Sequence, residues 1–351
     1  MHLPTYLIVF CASLAVGILL VSTKKWHGHF SMDHTHGVQK FHTVPTPRIG
    51  GLAIFAGVFA GWLIASESER VLLTPLLVAG LPAFVFGLLE DVTKQVGVTA
   101  RLLATMVSGA VACWLTGITI SSVDIPVLDD LLKYWPLAMI FTAFAVGGIA
   151  NSVNIIDGFN GLSSGAVIII LAALGFIAIN HGDVTLARIC FLLIAAVAGF
   201  FLLNFPYGKL FLGDGGAYFV GFALSWLAVL LAHRNPSMSP WVLLLATAYP
   251  IIEVLYSVVR RMHYKQPTGA PDSLHLHSLI KTQLIKPSVG HWPPVLRNAA
   301  VSPLLWLFAA LPAGLAVALS GQKTWILGVV FLGCVLVYHL LYRVLERKLN
   351  R

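Results

Sequence analysis

What most constrains this chain is the recurrence, from one end to the other, of apolar stretches about 20 residues long, the length that a hydrocarbon core about 30 Å thick demands of a helix. Read as runs bounded by charge, Gly or Pro, they fall near 4–22, 49–66, 72–89, 99–117, 134–150, 164–180, 187–205, 216–233, 240–260, 298–319 and 323–342. Backbone polar groups in lipid must be satisfied within the segment, so the expected fold is all-α and polytopic, with about eleven transmembrane helices. Composition points the same way: 58% of the 351 residues are hydrophobic and only 10% charged, against roughly 25% charged in a soluble domain. No internal repeat or second domain interrupts the pattern, and residues 1–351 read as one integral-membrane unit.

Charge sets the expected orientation. Connections after odd-numbered spans, together with the carboxyl tail, hold 17 of the 22 Lys and Arg, which by the positive-inside rule puts the amino terminus in the periplasm and the carboxyl terminus in the cytosol. The net charge of +8 therefore reads as topology and not as a nucleic-acid surface. Cys11, Cys113, Cys190 and Cys334 all fall in apolar spans without paired spacing, so neither a disulfide framework nor a zinc site is expected. The first basic pair, Lys24 and Lys25, follows the first span, so that span is expected to remain as a helix.

The polar sequence on the expected cytosolic side is unlike plain connectors. Glu90 and Asp91 close the third span, where adjacent carboxylates need a cation, a proton or a basic partner such as Lys94 or Arg101. Asn151, Asn154 and Asp157 recur every third residue in NSVNIIDGFNG, which on a helical turn shares one face. In KLFLGDGG, Asp214 lies between glycines just before an apolar span, the setting in which helix N–H groups accept phosphate, with Lys209 and Phe211 nearby. His275 and His277 share a loop with Asp272, Arg260 and Arg261; Arg48 in PTPRIGG offers a fork for phosphate. Glu253 is an intramembrane acid, for which Arg260 is the candidate partner. The loop carrying His27, His29, His34, His36 and His42 invites a metal-site reading, but its irregular spacing gives that reading little support.

Taken in order, PTPRIGG, GLLED, NSVNIIDGFNG, FLGDGG and DSLHLHS resemble the polyprenyl-phosphate N-acetylhexosamine-1-phosphate transferases, relatives of the phospho-N-acetylmuramoyl-pentapeptide translocase. The resemblance implies a HexNAc-1-phosphate transfer from a UDP-sugar to undecaprenyl phosphate in the bacterial inner membrane, initiating an O-antigen-like envelope polysaccharide. It implies Mg²⁺, or Mn²⁺, held by Asp214 and Asp157; catalytic roles for Asp91, Glu90 and Asp157; and substrate contacts from Asn154, Asn151, Asn160, Phe211, Lys209, Arg48, His275 and His277. Loops 23–48, 90–98, 151–163, 206–215 and 261–297 would form the site. The partners are the UDP-sugar, the lipid phosphate, the bilayer and, as one assembly open to such an enzyme, a second copy in a homodimer; nucleic acid is excluded. The sequence departs from the family where Glu90 replaces an Asp, Asn160 an Asp and Ser278 a His. A lipid I-forming translocase is the alternative within the class, and an ion-coupled transporter the alternative outside it.

Overall fold

The computed structural model describes residues 3–33, 45–265, 272 and 274–349. Each of the eleven apolar stretches is helical: α1 (Leu3–Ser22), α2 (Gly51–Ile64), α3 (Glu67–Thr93), α4 (Val98–Thr116), α5 (Trp135–Ile155), α6 (Leu162–Asn180), α7 (Val184–Asn204), α8 (Gly213–Arg234), α9 (Trp241–Ala246) running on into α10 (Ala248–His263), α11 (Val301–Ala318) and α12 (Thr324–Leu349). Among the described residues, nine helical spans are long and apolar enough to cross a bilayer, with Gly51–Ile64 a shorter apolar helix. The chain is an all-α, multi-pass membrane protein; among the described residues its strands are the two-residue pair Met32–Asp33 and Thr46–Pro47.

Two spans differ from the expected outline. The stretch at 240–260 breaks at Thr247, and the one at 298–319 breaks at Ala300, where the short helix Pro294–Ala299 meets α11. In both, a proline stands three residues into the second half, Pro250 and Pro303. Proline lacks the N–H for the helical ladder and clashes with the carbonyl four residues back, so it sits most easily in a first turn, although α3 accommodates Pro75 and Pro82 and α11 Pro312 in their interiors. The third span is longer than expected, because Ser66 and Glu69 form a capping box and helix continues to Thr93. Glu90 and Asp91 thus lie in the last turn of α3, and Asn151 and Asn154 in the last turn of α5, not in open loops.

α8 is the axis of the bundle. Every residue from Gly213 to Leu231 is buried, which is how a helix apolar on all sides behaves inside a larger assembly. It packs chiefly on α3 and α5. Apolar tails of lipid give helices no hydrophobic reason to associate, so close approach through small residues does the work. A Cβ on Gly87 would lie 2.6 Å from the backbone of Asp214 and Gly215, and one on Gly51 would lie 2.4 Å from the nitrogen of Gly216.

The amino end of α8 is stitched to the segment before α2. Phe211 N–H donates to Pro47 O (2.8 Å), Gly50 N–H to Phe211 O (2.9 Å) and Gly51 N–H to Leu212 O (2.9 Å). Arg48 is thereby carried to the first turn of α8, more than 160 residues away in sequence.

Candidate active site

Around that first turn lies a cavity of about 850 Å³. Of the residues singled out in the sequence, Arg48, Asn151, Asn154, Asp157, Asn160, Phe211, Asp214, His275 and His277 line it. Asp91, Glu90 and Lys209 do not.

Asp214 is the hub. Its Oδ1 accepts from Arg48 Nη2 (2.8 Å) and Asn154 Nδ2 (3.2 Å), and its Oδ2 is ion-paired with Arg101. Arg101 also lies over the ring of Tyr218, whose hydroxyl donates to Asn151 Oδ1 (3.4 Å). The first turn of a helix leaves backbone N–H groups without intrahelical partners, and an anion is welcome there. Here the anion is Asp91, fully buried: Asp214 N–H donates to its Oδ1 and Gly215 N–H to its Oδ2, both at 2.8 Å, while Arg48 Nε lies 3.1 Å from Oδ1. Gly213 makes this possible. Its φ is +73°, and a Cβ would lie 2.1 Å from Arg48 O and 2.5 Å from Asp91 Oδ2. Lys94 closes the end of α3 by donating to Asp91 O, and Glu90 takes Val96 N–H (2.8 Å) in the turn that follows.

Asp157 differs from these. It lies in the turn between α5 and α6, and no hydrogen-bond donor or cation among the described residues reaches its carboxylate. Burial pushes its pKa up to about 7, against the pull of Arg48. Asn160 lines the wall, but its Nδ2 donates to Pro206 O (2.9 Å), and the neighbouring Asn204 joins Gly161 N–H to Leu210 O; these amides tie two loops of the rim together. Lys209 is exposed outside the cavity.

The opposite wall comes from the histidine loop. Asp272 accepts from Arg260, from Ser257 Oγ (2.8 Å) and from Leu274 N–H (2.9 Å), and Arg261 Nε is 3.4 Å away. Burial alone would raise the Asp272 pKa, yet the Leu274 N–H, His275 and Ser257 hold it below the ordinary carboxylate value. His275 and His277 stack, centroids 5.1 Å apart and rings 17° from parallel. Burial, with the charge of His275 second, lowers His277 to about 4, so its ring is neutral. The expected Glu253–Arg260 pair does not form: Arg260 turns to Asp272 and Tyr342, and Glu253 holds His275 Nδ1 at 3.0 Å. Arginine's reach of several ångströms let it choose the nearer acid.

Sequence reasoning placed Arg101 only as a partner for Glu90 and Asp91, and it passed over Tyr218 and Asn298. Tyr218 sits four residues after Asp214, one turn along the same face, and that spacing could have found it. Asn298, which lines the cavity and accepts from Lys281, carries no motif. Lys281 also lies 5.2 Å from the centre of the Phe159 ring, and burial, with Arg297 and Lys286 adding repulsion, lowers its pKa to about 7. His34, His36 and His42 lie outside the described residues. His27 is used structurally, bonded to Ser31 and Leu20 O, while His29 is exposed.

The implied divalent cation needs a set of oxygen donors. Among the described residues no three His, Cys, Asp or Glu side chains cluster tightly enough to hold an ion alone. Mg²⁺ does not require that: it commonly takes one or two carboxylates, with waters and substrate phosphates completing six oxygens. Asp157, half-buried on the cavity wall with no hydrogen-bond partner among the described residues, and Asp214 beside Asn154 supply such a pair. The residues fit.

Fold and cavity together define a multi-pass membrane protein with a site of acids, arginines and amides at one end of its bundle. Residues 73–232 match the family model for glycosyl transferase family 4. Over 240 residues the chain is 31% identical to the probable undecaprenyl-phosphate N-acetylglucosaminyl 1-phosphate transferase of Bacillus subtilis, covering 68% of this chain and 66% of that protein. It is 28% identical over 247 residues to the undecaprenyl-phosphate alpha-N-acetylglucosaminyl 1-phosphate transferase of Yersinia pestis (69% and 67%). A decaprenyl-phosphate N-acetylglucosaminephosphotransferase of Mycobacterium leprae is 28% identical over 333 residues (84% and 79%). The matched stretch thus spans about two thirds of the first two relatives' length. The chain belongs to glycosyl transferase family 4, on the branch of polyprenyl-phosphate N-acetylhexosamine-1-phosphate transferases.

Proposed function

We propose that the protein transfers an N-acetylhexosamine 1-phosphate from a UDP-sugar to undecaprenyl phosphate and releases UMP, the first membrane step of an envelope polysaccharide. One observation carries the reading: a single cavity brings Asp157, Asp214 and Asn154 to the same space as Arg48, Arg101, Arg261 and His275. Donor and acceptor are both anions, and joining them calls for preorganised positive charge and a place for a cation. The relatives' names favour N-acetylglucosamine as the sugar.

In this reaction a phosphate oxygen of the lipid attacks the β-phosphorus of the donor. The bond from that phosphorus to the oxygen bridging to the α-phosphate breaks, and UMP departs with the electron pair. One phosphoanhydride replaces another, so the transfer is reversible. Asp214 and Asp157, with Asn154, would hold Mg²⁺ or Mn²⁺, which when bound supplies charge neutralisation for the diphosphate. Phe211 offers a face for the uracil. Asp91, having both oxygens engaged below the cavity floor, acts by positioning: it fixes the first turn of α8 and the direction of Arg48. Glu90 and Asn160 shape the rim. The basic loops favour a cytosolic position for this end of the bundle, in an inner membrane where the lipid's phosphate would lie at the depth of the helix ends.

UMP release by the purified protein in detergent tests the reading, with undecaprenyl phosphate and a panel of UDP-sugars, with and without chelator. Lipid- and metal-dependent release is expected, fastest with UDP-N-acetylglucosamine. Folded protein that releases no UMP from any donor would sink it.

A further inference from the structure

Glu253 is buried in α10, one of the segments that read as membrane-spanning, and the chemistry above does not use it. An acid there is costly unless its charge is matched. Its Oε1 accepts the N–H of Leu276 (3.0 Å) and faces His275 Nδ1 (3.0 Å). On the far side of the same ring, His275 Nε2 lies 3.5 Å from Asp272 Oδ2. A carboxylate can only accept hydrogen bonds, so a ring with an acid at each nitrogen is satisfied at both only when both carry a proton. The other titratable groups around Glu253 are the hydroxyls of Tyr249 and Tyr338 and the ring of His277, which burial keeps neutral. Arg260, about two helical turns along α10, is committed to Asp272, Leu274 O and Tyr342.

We propose that Glu253 is a positioning residue: it seats His275 as a doubly protonated imidazolium in the cavity wall, where the ring presents a fixed positive charge to the donor's diphosphate. The proposal rests on the transferase reading. It accounts for two histidines in stacked contact that differ in charge, His275 carrying a proton between two acids and His277 facing Phe159 and Gly158 without one. It also gives the intramembrane acid a reason to be ionised, since its countercharge comes from the loop and not from its own helix.

The test is steady-state transfer by the purified full-length enzyme carrying Glu253→Gln, His275→Gln, or both, across pH, with melting in detergent recorded for each. Glutamine keeps an oxygen for the Leu276 N–H but cannot stabilise the imidazolium. Partners that orient a functional histidine typically matter by 10–100-fold, so Glu253→Gln is expected to lower kcat/KM for the nucleotide sugar about tenfold, with KM for the lipid unchanged. The pH above which activity falls should move down. The double variant should be no slower than His275→Gln alone, because Glu253 acts through that ring. Losses that multiply in the double variant, or a pH profile that Glu253→Gln leaves unmoved, would overturn the proposal and leave Glu253 a loop anchor. If Glu253→Gln fails to fold, Glu253→Asp decides: it keeps the charge with shorter reach, so slower turnover with a wild-type pH profile supports the proposal and a downshifted profile defeats it. No turnover by folded wild-type enzyme would sink the transferase reading and this inference together, whereas wild-type turnover with unaffected variants sinks this inference alone.

Discussion

The two ends of the helix bundle both carry buried acids, and they use them differently. At the end away from the cavity each acid closes something local. Asp183 caps α7 through Leu186 N–H (3.1 Å) and takes Arg234 (2.5 and 3.0 Å), and Glu69 completes the capping box with Ser66; even the exposed Asp124 accepts from Ser239 and Thr324 (2.5 Å each) and so ties three loops. At the cavity end the acids belong to different helices and converge. Asp214 holds residues from the 45–50 segment, α4 and α5, and Asp157 has no described partner. Acids that satisfy their own loops stabilise a fold. Acids gathered from four parts of the chain around 850 Å³ of space are arranged for something that comes and goes.

Exchanging acids across the two ends is the strongest way to break that contrast. Asp214→Ala is expected to reduce UMP release by about 10³-fold or more, the scale of losing a preorganised electrostatic group, while still inserting into the membrane. Asp183→Ala should do the reverse, with activity within about twofold of wild type and a lower melting temperature, because a cap and an ion pair go with it. Comparable activity losses from both variants would erase the distinction. Chelation sharpens the same point: EDTA should abolish turnover, and Mg²⁺ or Mn²⁺ should restore it without altering the melting of the Asp214→Ala protein.

Two glycines allow a matched test of smaller size. Gly213 (φ +73°) and Gly117 (φ +72°) share a left-handed backbone, one at the cavity end and one closing α4 at the other. A Cβ at Gly117 meets nothing within 4 Å, whereas at Gly213 it would strike Arg48 O and Asp91. Gly117→Ala should therefore cost only the conformational penalty, about 1–2 kcal/mol, with activity kept. Gly213→Ala should add a loss of activity of at least about tenfold, since it displaces the arginine that touches Asp214.

Acid tests the neutral histidine. His277, lowered to about 4 from an ordinary 6.5, stays unprotonated in the folded protein while an unfolded chain takes up a proton. Its contribution to stability is therefore whole above pH 6.5 and is lost as pH falls towards 4. The groups facing it are His275, Glu253 and Asp272, together with the Phe159 ring. Melting scans of wild type and His277→Gln between pH 7 and 4.5 should show the steeper fall in wild type, by a few degrees; parallel slopes would count against a buried neutral ring.

Much of this was legible in the sequence. Eleven apolar runs leave little choice but helices, nine of which, among the described residues, are long enough to cross a bilayer, and Asn and Asp every third residue share a face whatever their surroundings. What could not be read were contacts decided by reach across the fold. Arg101 was expected beside Glu90 and Asp91, close in sequence, but α8 brings Asp214 nearer. Asp91 stood out as a reactive acid, and only the first turn of α8 shows its oxygens already taken by Asp214 and Gly215 N–H. Lys209, by contrast, was expected near phosphate because it precedes FLGDGG by a few residues.

That last expectation supplies the smallest prediction. The chain doubles back at Gly208 (φ +58°), with Lys209 N–H donating to Leu203 O (2.9 Å), and the turn sends Leu210 into the core while Lys209 stays exposed. An exposed lysine that does not line the cavity keeps its hydration, and its charge is screened over about 8 Å at physiological salt, so it contributes little to holding an anion there. Lys209→Ala should therefore leave kcat and KM for the UDP-sugar within about twofold of wild type at 0.15 M salt. A large rise in KM that shrinks as salt is added would show that the lysine reaches the donor after all, and would move the 206–210 turn from the frame of the site to its lining.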